Sequence, residues 1–169
     1  CEDLAELKEV CNIDIEVCAN IQIESEANEE KIDAQIKLGR FLIYTDAETA
    51  ESHIQTAIEA AEKADYQRGL ARAYLVQGTL LLGKSKTLEA RKILEQCITI
   101  TETIDDKETL VWAKLTIGTL YIRNGDYAAA AKNHFEGLDF AREMGDDNLY
   151  LTYLMNLGII KTQLKEPEE

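Results

Sequence analysis

The chain has 169 residues, of which 46% are apolar, and a formal net charge of −14. This length and apolar content suffice for a domain with a sizeable core and exclude a disordered tail. An acidic surface repels phosphate groups, so nucleic acid is an unfavourable partner and we expect no direct membrane contact. No stretch approaches the ~18 consecutive apolar residues of a membrane-spanning helix.

The two ends of the chain favour an excised piece of a longer protein, because it begins at Cys1 rather than Met and ends at Glu169. Two interpretations of Cys1 stay open: a boundary of the excised piece, or the modified first residue of a mature lipoprotein. The first predicts a cytoplasmic protein, and the second allows a lipoprotein or periplasmic one. No CxxC pair occurs and no histidine lies at metal-ligand spacing from a cysteine, so we expect reduced thiols and no metal site.

Residues 1–30 carry two overlapping patterns. Ile13, Ile15 and Val17 alternate with polar residues, as in a strand. Ile13, Val17 and Ile21 also line one face of a helix. Because the rest of the chain is rich in helix-forming residues, we predict a helical cap or a degenerate first repeat over 1–30.

From residue 31 onward, small residues recur every 40 positions. The glycines are Gly78, Gly118 and Gly158, the alanines are Ala50, Ala90 and Ala130, and a third small column holds Ala57, Cys97 and Gly137. A fixed period of this length is the signature of a stacked repeat. The predicted units span 31–69, 70–109 and 110–148, with a partial repeat at 149–169. We expect Gly118 and Ala130 to lie where two helix backbones approach closely.

The third unit shows how each repeat is built. Its first helix is predicted from about Thr109 to Arg123, and its second from about Tyr127 to Met144, because apolar residues recur at helical spacing. Asn124-Gly125-Asp126 forms the turn between them, and a turn this short makes the helices antiparallel. The predicted fold class is therefore all-α, an α-α superhelix of antiparallel helical hairpins.

The same unit resembles the tetratricopeptide repeat family. Ile117-Gly118-Thr119-Leu120-Tyr121 is similar to the family's L-G-x-x-Y, Gly125-Asp126-Tyr127 to its turn, and Ala130 with Gly137-Leu138 to its A-x6-A-L. The resemblance covers 31–165, and a 40-residue period is similar to a longer-helix variety found in bacterial signalling proteins. It implies a protein-protein interaction scaffold, a regulatory or sensory peptide-binding module of a larger signalling protein. The alternative is a self-association module with no peptide ligand.

In the resembling family, the first helix of each unit lines a concave groove that binds peptides or helices. The groove positions that this resemblance implies are Lys37, Arg40, Tyr44, Arg72, Thr79, Trp112, Thr116, Thr119, Arg123 and Asn156. Four of them are cationic and acids are scarce around them, so we predict a preference for an acidic peptide or a C-terminal carboxylate. The alternative is that four cations arise by chance. Trp112, the only tryptophan, is either an interface anchor or part of the core between repeats.

Motifs for nucleotide binding, zinc hydrolysis and nucleophilic serine are absent from the sequence. His53 falls in a second helix and is interpreted as a flank residue. His134 takes a slot that the resembling family fills with an aromatic ring and is interpreted as a partly buried packing residue. Cys97 shares the small-residue column and is interpreted in the same way. We therefore predict that the chain is not an enzyme and needs no cofactor.

The partial repeat at the end of the chain leaves an apolar helix face without a following helix. Its residues are Leu151, Leu154, Leu157 and Ile160. An exposed apolar face favours association, so a homo-oligomer formed through this last repeat is the predicted form of self-association.

Overall fold

The computed structural model describes residues 29–164, which form seven helices. They are α1 (Glu29–Leu42), α2 (Ala47–Lys63), α3 (Gln67–Gly83), α4 (Thr87–Thr103), α5 (Lys107–Arg123), α6 (Tyr127–Met144) and α7 (Asp147–Gln163). Within this part of the chain no helix is long and apolar enough to cross a membrane. The cap predicted over 1–30 lies almost wholly outside the described residues. Glu29 and Glu30 begin α1, two residues before the predicted start of the first unit.

The turns between successive helices recur every 20 residues. In the five turns that follow α2, α3, α4, α5 and α6, one residue adopts a left-handed backbone with φ between 51° and 75°, and these residues are Asp65, Ser85, Asp105, Gly125 and Gly145. The next residue donates its amide to the carbonyl five positions earlier, as from Asp126 to Tyr121 at 3.0 Å. This Schellman geometry satisfies the last carbonyls of a helix. The 40-residue period is therefore two steps of one helix and one turn.

Aspartates begin four of the helices. Asp46, Asp106, Asp126 and Asp146 each accept a hydrogen bond from the amide three residues later, at 3.0–3.2 Å. Each carboxylate satisfies a free amide at a helix N-terminus, where the helix dipole also favours negative charge. Part of the acidic composition is thus helix-capping chemistry.

The helices pack in two layers. Each helix packs on the next, and the first helices of the hairpins (α1, α3, α5 and α7) also contact each other in sequence. No two of the second helices, α2, α4 and α6, make comparable contact in the described part of the chain. The first helices therefore form one layer, called here the inner layer, and the second helices form the other, called the outer layer. The prediction of an all-α solenoid of antiparallel hairpins is confirmed.

Each hairpin is locked by a large side chain that fills a notch at a glycine. The side chains lie 2.6–2.7 Å from where a glycine Cβ would be, and the pairs are Gly39 with Ile54, Gly78 with Leu94 and Gly118 with His134. The sequence predicted close backbones at Gly118. The structure shows instead that the space is occupied by a side chain from the second helix, one turn after the buried alanine Ala130.

Candidate functional site on the inner helix layer

The first helices form one continuous surface, called here the inner face. Two contacts tie neighbouring helices together along it. Arg72 Nη1 of α3 lies 3.5 Å from Asp33 Oδ2 of α1. Arg123 Nη1 of α5 donates to the Leu82 carbonyl of α3 at 2.9 Å. Arg72 and Arg123 therefore each contact the preceding first helix.

The two layers carry opposite charge. The four first helices contain nine Lys and Arg residues against five Asp and Glu, whereas the three second helices contain five against ten. α3 contains no acidic residue. The inner layer thus carries a net charge of +4 and the outer layer −5, and most of the net charge of −14 lies outside these helices.

Lys37 and Arg40 form an exposed stripe on α1. They are spaced three residues apart, which places them on one helix face, whereas Tyr44 lies in the turn after α1. Tyr44 is 86% exposed. Among the described residues neither Lys37 nor Arg40 forms an ion pair, unlike Arg72 with its partner Asp33. The basic groove predicted over three helices is therefore concentrated on α1.

The central part of the inner face presents Trp112 and a set of threonines. Trp112 is 39% exposed, so the structure places it at the surface rather than in the core between repeats. The hydroxyls of Thr79, Thr116 and Thr119 each donate to the carbonyl four residues earlier at 2.9 Å. Their hydrogens are used within the helix, so these hydroxyls offer acceptor lone pairs. Asn156 lies half-buried on α7.

His134 and Cys97 lie in the core, as their repeat columns predict. His134 is more deeply buried than predicted, with no exposed surface, and neither ring nitrogen has a hydrogen-bond partner. Burial lowers the pKa of His134 to about 4. Burial raises the pKa of Cys97 to about 12, and its Sγ donates to the Ala71 carbonyl at 3.2 Å. Neither side chain is accessible or ionised in a way that would serve as a nucleophile or base at neutral pH.

Lys114 is a feature that the sequence analysis missed. It is only 7% exposed, and its Nζ lies 2.7 Å from Glu136 Oε2 and 3.7 Å from Glu102 Oε1. These partners belong to α6 and α4, so one lysine of α5 joins two neighbouring second helices. No sequence motif marks such a pair, because its members are 12 and 22 residues from the lysine.

The exposed apolar face predicted for the last helix is partly correct. Leu151 is 55% exposed and Leu154 is 40% exposed, while Leu157 is half-buried. The prediction is wrong for Ile160, which is only 2% exposed. Ile160 shares a helix face with the buried Tyr153, and that face packs against the third hairpin.

No protein-family model matches the sequence, and no curated protein matches it significantly. The resemblance to tetratricopeptide repeats therefore rests on the quoted motifs and on the 40-residue period.

Proposed function

We propose that this chain is a tetratricopeptide-like scaffold that binds an acidic peptide segment of a partner protein on its inner face, as a regulatory module of a larger signalling protein. The observation that supports this most is the opposite charge of the two helix layers. A charge distribution of this kind directs an acidic ligand to one face of the molecule and away from the other.

The distance between the two layers determines which charges interact with a peptide bound on the inner face. Packed helices lie ~8–10 Å apart, which is close to the Debye length of about 8 Å at physiological ionic strength. A peptide on the inner face therefore interacts mainly with the charges of the first helices. The acidic residues of α2, α4 and α6 are substantially screened from it.

Lys37 and Arg40 are the proposed carboxylate-binding residues. Both are exposed on α1 and neither has an ion-pair partner among the described residues, so binding a carboxylate would not require an existing ion pair to break. Arginine can bind a carboxylate through two parallel hydrogen bonds, and lysine adds a mobile positive charge. Trp112 is the proposed apolar anchor, because partly exposed tryptophan is a frequent source of interface energy.

A charge-reversal experiment tests the proposal. The probe is a fluorescein-labelled peptide of six Glu-Ser repeats, and binding is followed by fluorescence anisotropy at physiological ionic strength, where the outer-layer charges are screened. We expect Lys37→Glu combined with Arg40→Glu to weaken binding by about tenfold or more, which corresponds to ~1.4 kcal/mol. Circular dichroism should show unchanged helicity, because both side chains are exposed.

The matched control is Lys92→Glu combined with Lys132→Glu. These lysines are exposed on α4 and α6, so the net charge changes by the same amount on the outer layer. The control should leave the peptide affinity within about twofold of the unmodified chain, because those positions are screened from the inner face. Equal weakening by both double variants would show that only net charge matters, and it would remove the inner-face hypothesis.

A further inference from the structure

The inner face presents different chemistry on successive first helices at one level. That level is set by the residue that follows the repeat glycine of each helix, which is Arg40 on α1, Thr79 on α3 and Thr119 on α5. Arg40 is exposed and charged, whereas both threonines are half-buried and neutral. A ligand that crosses the inner face from α1 to α5 therefore meets a cation first and hydroxyl groups next.

The two hydroxyls are suited to accept hydrogen bonds from a ligand. Thr79 Oγ1 and Thr119 Oγ1 each donate to a carbonyl of their own helix at 2.9 Å. The single hydrogen of each hydroxyl is thereby used, and the oxygen lone pairs stay available to a ligand donor. An extended peptide has free backbone amides, while a helix uses all but its first four amides within itself. The hydroxyls therefore favour an extended ligand over a helical one.

Trp112 lies beyond the hydroxyls, on α5. It is 39% exposed and stands one helical turn before Thr116, whose repeat position is that of Lys37 on α1. A tryptophan ring at the surface offers a ligand a large apolar contact area. The inner face thus has positive charge on α1 and an aromatic ring two first helices away.

Arg72 lies between these two ends but is already paired. It has the repeat position of Trp112 on the neighbouring helix α3, and its Nη1 lies 3.5 Å from Asp33 Oδ2. Lys37 and Arg40 have no ion-pair partner among residues 29–164. A ligand carboxylate can therefore bind at α1 without separating an existing ion pair, which assigns the acidic part of the ligand to α1 and the apolar part to α5.

Helix packing sets the distance between the two ends. Adjacent packed helices lie ~8–10 Å apart, so α1 and α5 are about 16–20 Å apart. The one-turn offset between Trp112 and the level of Lys37 adds about 6 Å along the helix axis, which gives a separation of roughly 17–21 Å. An extended chain covers ~3.3 Å per residue, so about five to six residues bridge this distance. A helix would need about 11–14 residues.

We propose that the inner face selects an extended peptide segment in which two adjacent acidic residues and a large aliphatic residue lie five to six positions apart. The acidic residues bind Lys37 and Arg40. The intervening main chain donates to Thr79 and Thr119, and the aliphatic side chain packs on Trp112. This inference rests on the proposed function, because it uses the same two cations, and it adds the spacing and the conformation that define the ligand.

Peptides of graded spacing test the inference. Each contains Glu-Glu, a spacer of serine and glycine, and one leucine, with the leucine three or six positions from the nearer glutamate, in both chain orders. Binding of fluorescein-labelled peptides is followed by anisotropy at physiological ionic strength. In one chain order the six-position peptide should bind about tenfold more tightly than the three-position peptide, because three residues span only ~10 Å.

Tryptophan emission reports directly on the apolar contact, because Trp112 is the only tryptophan of the chain. An unlabelled six-position peptide should shift the emission to shorter wavelength, since leucine displaces water from the ring. The same peptide with serine in place of leucine should leave the emission unchanged.

Trp112→Ala tests the ring as the apolar anchor. It should reduce the tenfold affinity ratio between the six-position and three-position peptides to about one. Phe135→Ala is the matched control, because Phe135 is a 59% exposed aromatic residue on α6, in the outer layer. The control should keep the ratio at about tenfold.

Replacing the hydroxyls tests the extended conformation. Thr79→Val combined with Thr119→Val should weaken the six-position peptide by about fivefold, the effect of losing roughly one net hydrogen bond. The control is Thr99→Val combined with Thr103→Val, because these threonines make the same bond to the carbonyl four residues earlier, at 2.8–2.9 Å, on α4. A peptide that is N-methylated throughout its spacer lacks the amide donors, so it should bind the unmodified chain and the first double variant equally. A purely structural role of Thr79 and Thr119 would weaken both peptides alike.

Three outcomes would overturn the inference, and they separate it from the proposed function. Equal affinity for the two spacings, with Lys37→Glu and Arg40→Glu still weakening both, would remove the inference and leave the proposed function intact. Tighter binding of an alanine-rich peptide with its leucine about twelve positions from the glutamates would show that the ligand is helical. No binding of any acidic peptide to the folded chain would remove both proposals.

Discussion

The second hairpin (α3 and α4) and the third (α5 and α6) share one 40-residue register but fill their cores differently. In the second hairpin, Leu94 fills the notch at Gly78 and Cys97 packs with Ala113 of the next first helix. In the third, His134 takes the notch and Tyr153 of the next first helix occupies the space beside Gly137. The 40-residue register is the same in both hairpins, although the small pair Cys97 and Ala113 is replaced by Gly137 and Tyr153.

This difference shows that the repeat constrains the combined volume of facing columns more tightly than the residue type in either column. Removing the side chain at residue 137 makes room for a ring at residue 153. The ring is fully buried, donates its hydroxyl to the Val111 carbonyl and lies edge-on to His134 at 5.5 Å between ring centroids. The third hairpin thereby has polar atoms in a position where the second has only an aliphatic side chain.

The largest expected effect comes from changing Gly137 and Tyr153 to alanine. The first hairpin has alanine at both of these repeat positions, Ala57 and Ala73, and the two share its core. Tyr153→Ala alone should destabilise the fold by about 4 kcal/mol, because it leaves a cavity and an empty space beside Gly137. Gly137→Ala alone should cost roughly 2 kcal/mol, because a Cβ there would overlap the Tyr153 ring. Urea unfolding followed by circular dichroism measures both.

The double variant is the decisive measurement. If facing volumes compensate, Gly137→Ala with Tyr153→Ala should be less destabilised than the sum of the single changes by about 2 kcal/mol. Simple additivity of the losses in unfolding free energy would mean that residues 137 and 153 are not coupled. It would contradict the idea that these two facing positions share one combined volume.

The stability of the third hairpin should fall in acid. A hairpin with an aliphatic side chain in the glycine notch should not show this loss. The pKa of His134 is lowered to about 4 by burial, while an unfolded histidine has a pKa of about 6.5. Between these values the unfolded chain binds a proton that the folded chain does not, so stability falls as the pH falls from about 6.5 to 4. A difference of this size corresponds to at most about 3 kcal/mol.

The matching variant is His134→Leu, which copies the residue of the second hairpin. Carboxylates also titrate in this range, so the informative quantity is the difference in unfolding free energy between the two proteins at each pH. That difference should grow in favour of the leucine variant on acidification. It should also favour leucine at neutral pH by about 1–2 kcal/mol, because two buried nitrogens without partners are removed. Parallel profiles of unfolding free energy against pH for the two proteins would contradict the lowered pKa of His134.

A smaller effect is expected from the Tyr153 hydroxyl. Tyr153→Phe keeps the ring beside Gly137 and removes only the donor to Val111. The expected loss is about 1 kcal/mol in urea unfolding, the net value of one buried hydrogen bond. Tyr150→Phe on the same helix is the control and should change little, since the Tyr150 hydroxyl, unlike its backbone amide, makes no hydrogen bond in the described part of the chain. Equal losses from both changes would show that the Val111 bond contributes no special stability.

Much of the fold could be predicted from the sequence, because the 40-residue columns and the helical spacing are properties of the chain itself. The bounds Tyr127–Met144 of α6 are as predicted, and Gly145 ends that helix in the left-handed conformation. α5 begins at Lys107 rather than near Thr109, because Asp106 caps it. The outcome for Ile160 could not be predicted from an exposed terminal repeat alone, because burial depends on how the helix rotates about its axis.

The candidate site was less predictable for a related reason. Position along a first helix predicts which residues lie on the inner face, but whether a cation has an ion-pair partner depends on the neighbouring helix. Arg72 is paired with Asp33, which lies 39 residues earlier, and Arg123 donates to a carbonyl 41 residues earlier. Contacts of this kind follow from the repeat spacing only when the facing residues are also known. That Lys37 and Arg40 have no ion-pair partner among residues 29–164 therefore emerges only from the three-dimensional structure.

The smallest predicted effect lies in the turns, where the second hairpin departs from the third. Ser85 adopts φ 59° in the turn between α3 and α4, at the position where the third hairpin has Gly125 at φ 75°. A left-handed conformation costs a residue with a Cβ about 1 kcal/mol, whereas glycine adopts it freely. Ser85→Gly should therefore raise the unfolding free energy by about 0.5–1 kcal/mol, less any entropy that glycine adds to the unfolded chain. The reciprocal Gly125→Ser should lower stability by a similar amount, because a Cβ there meets no atom within 4 Å and only the backbone conformation is at stake. Thermal unfolding of the pair measures both signs, and a loss of stability in Ser85→Gly would show that backbone strain does not distinguish the two turns.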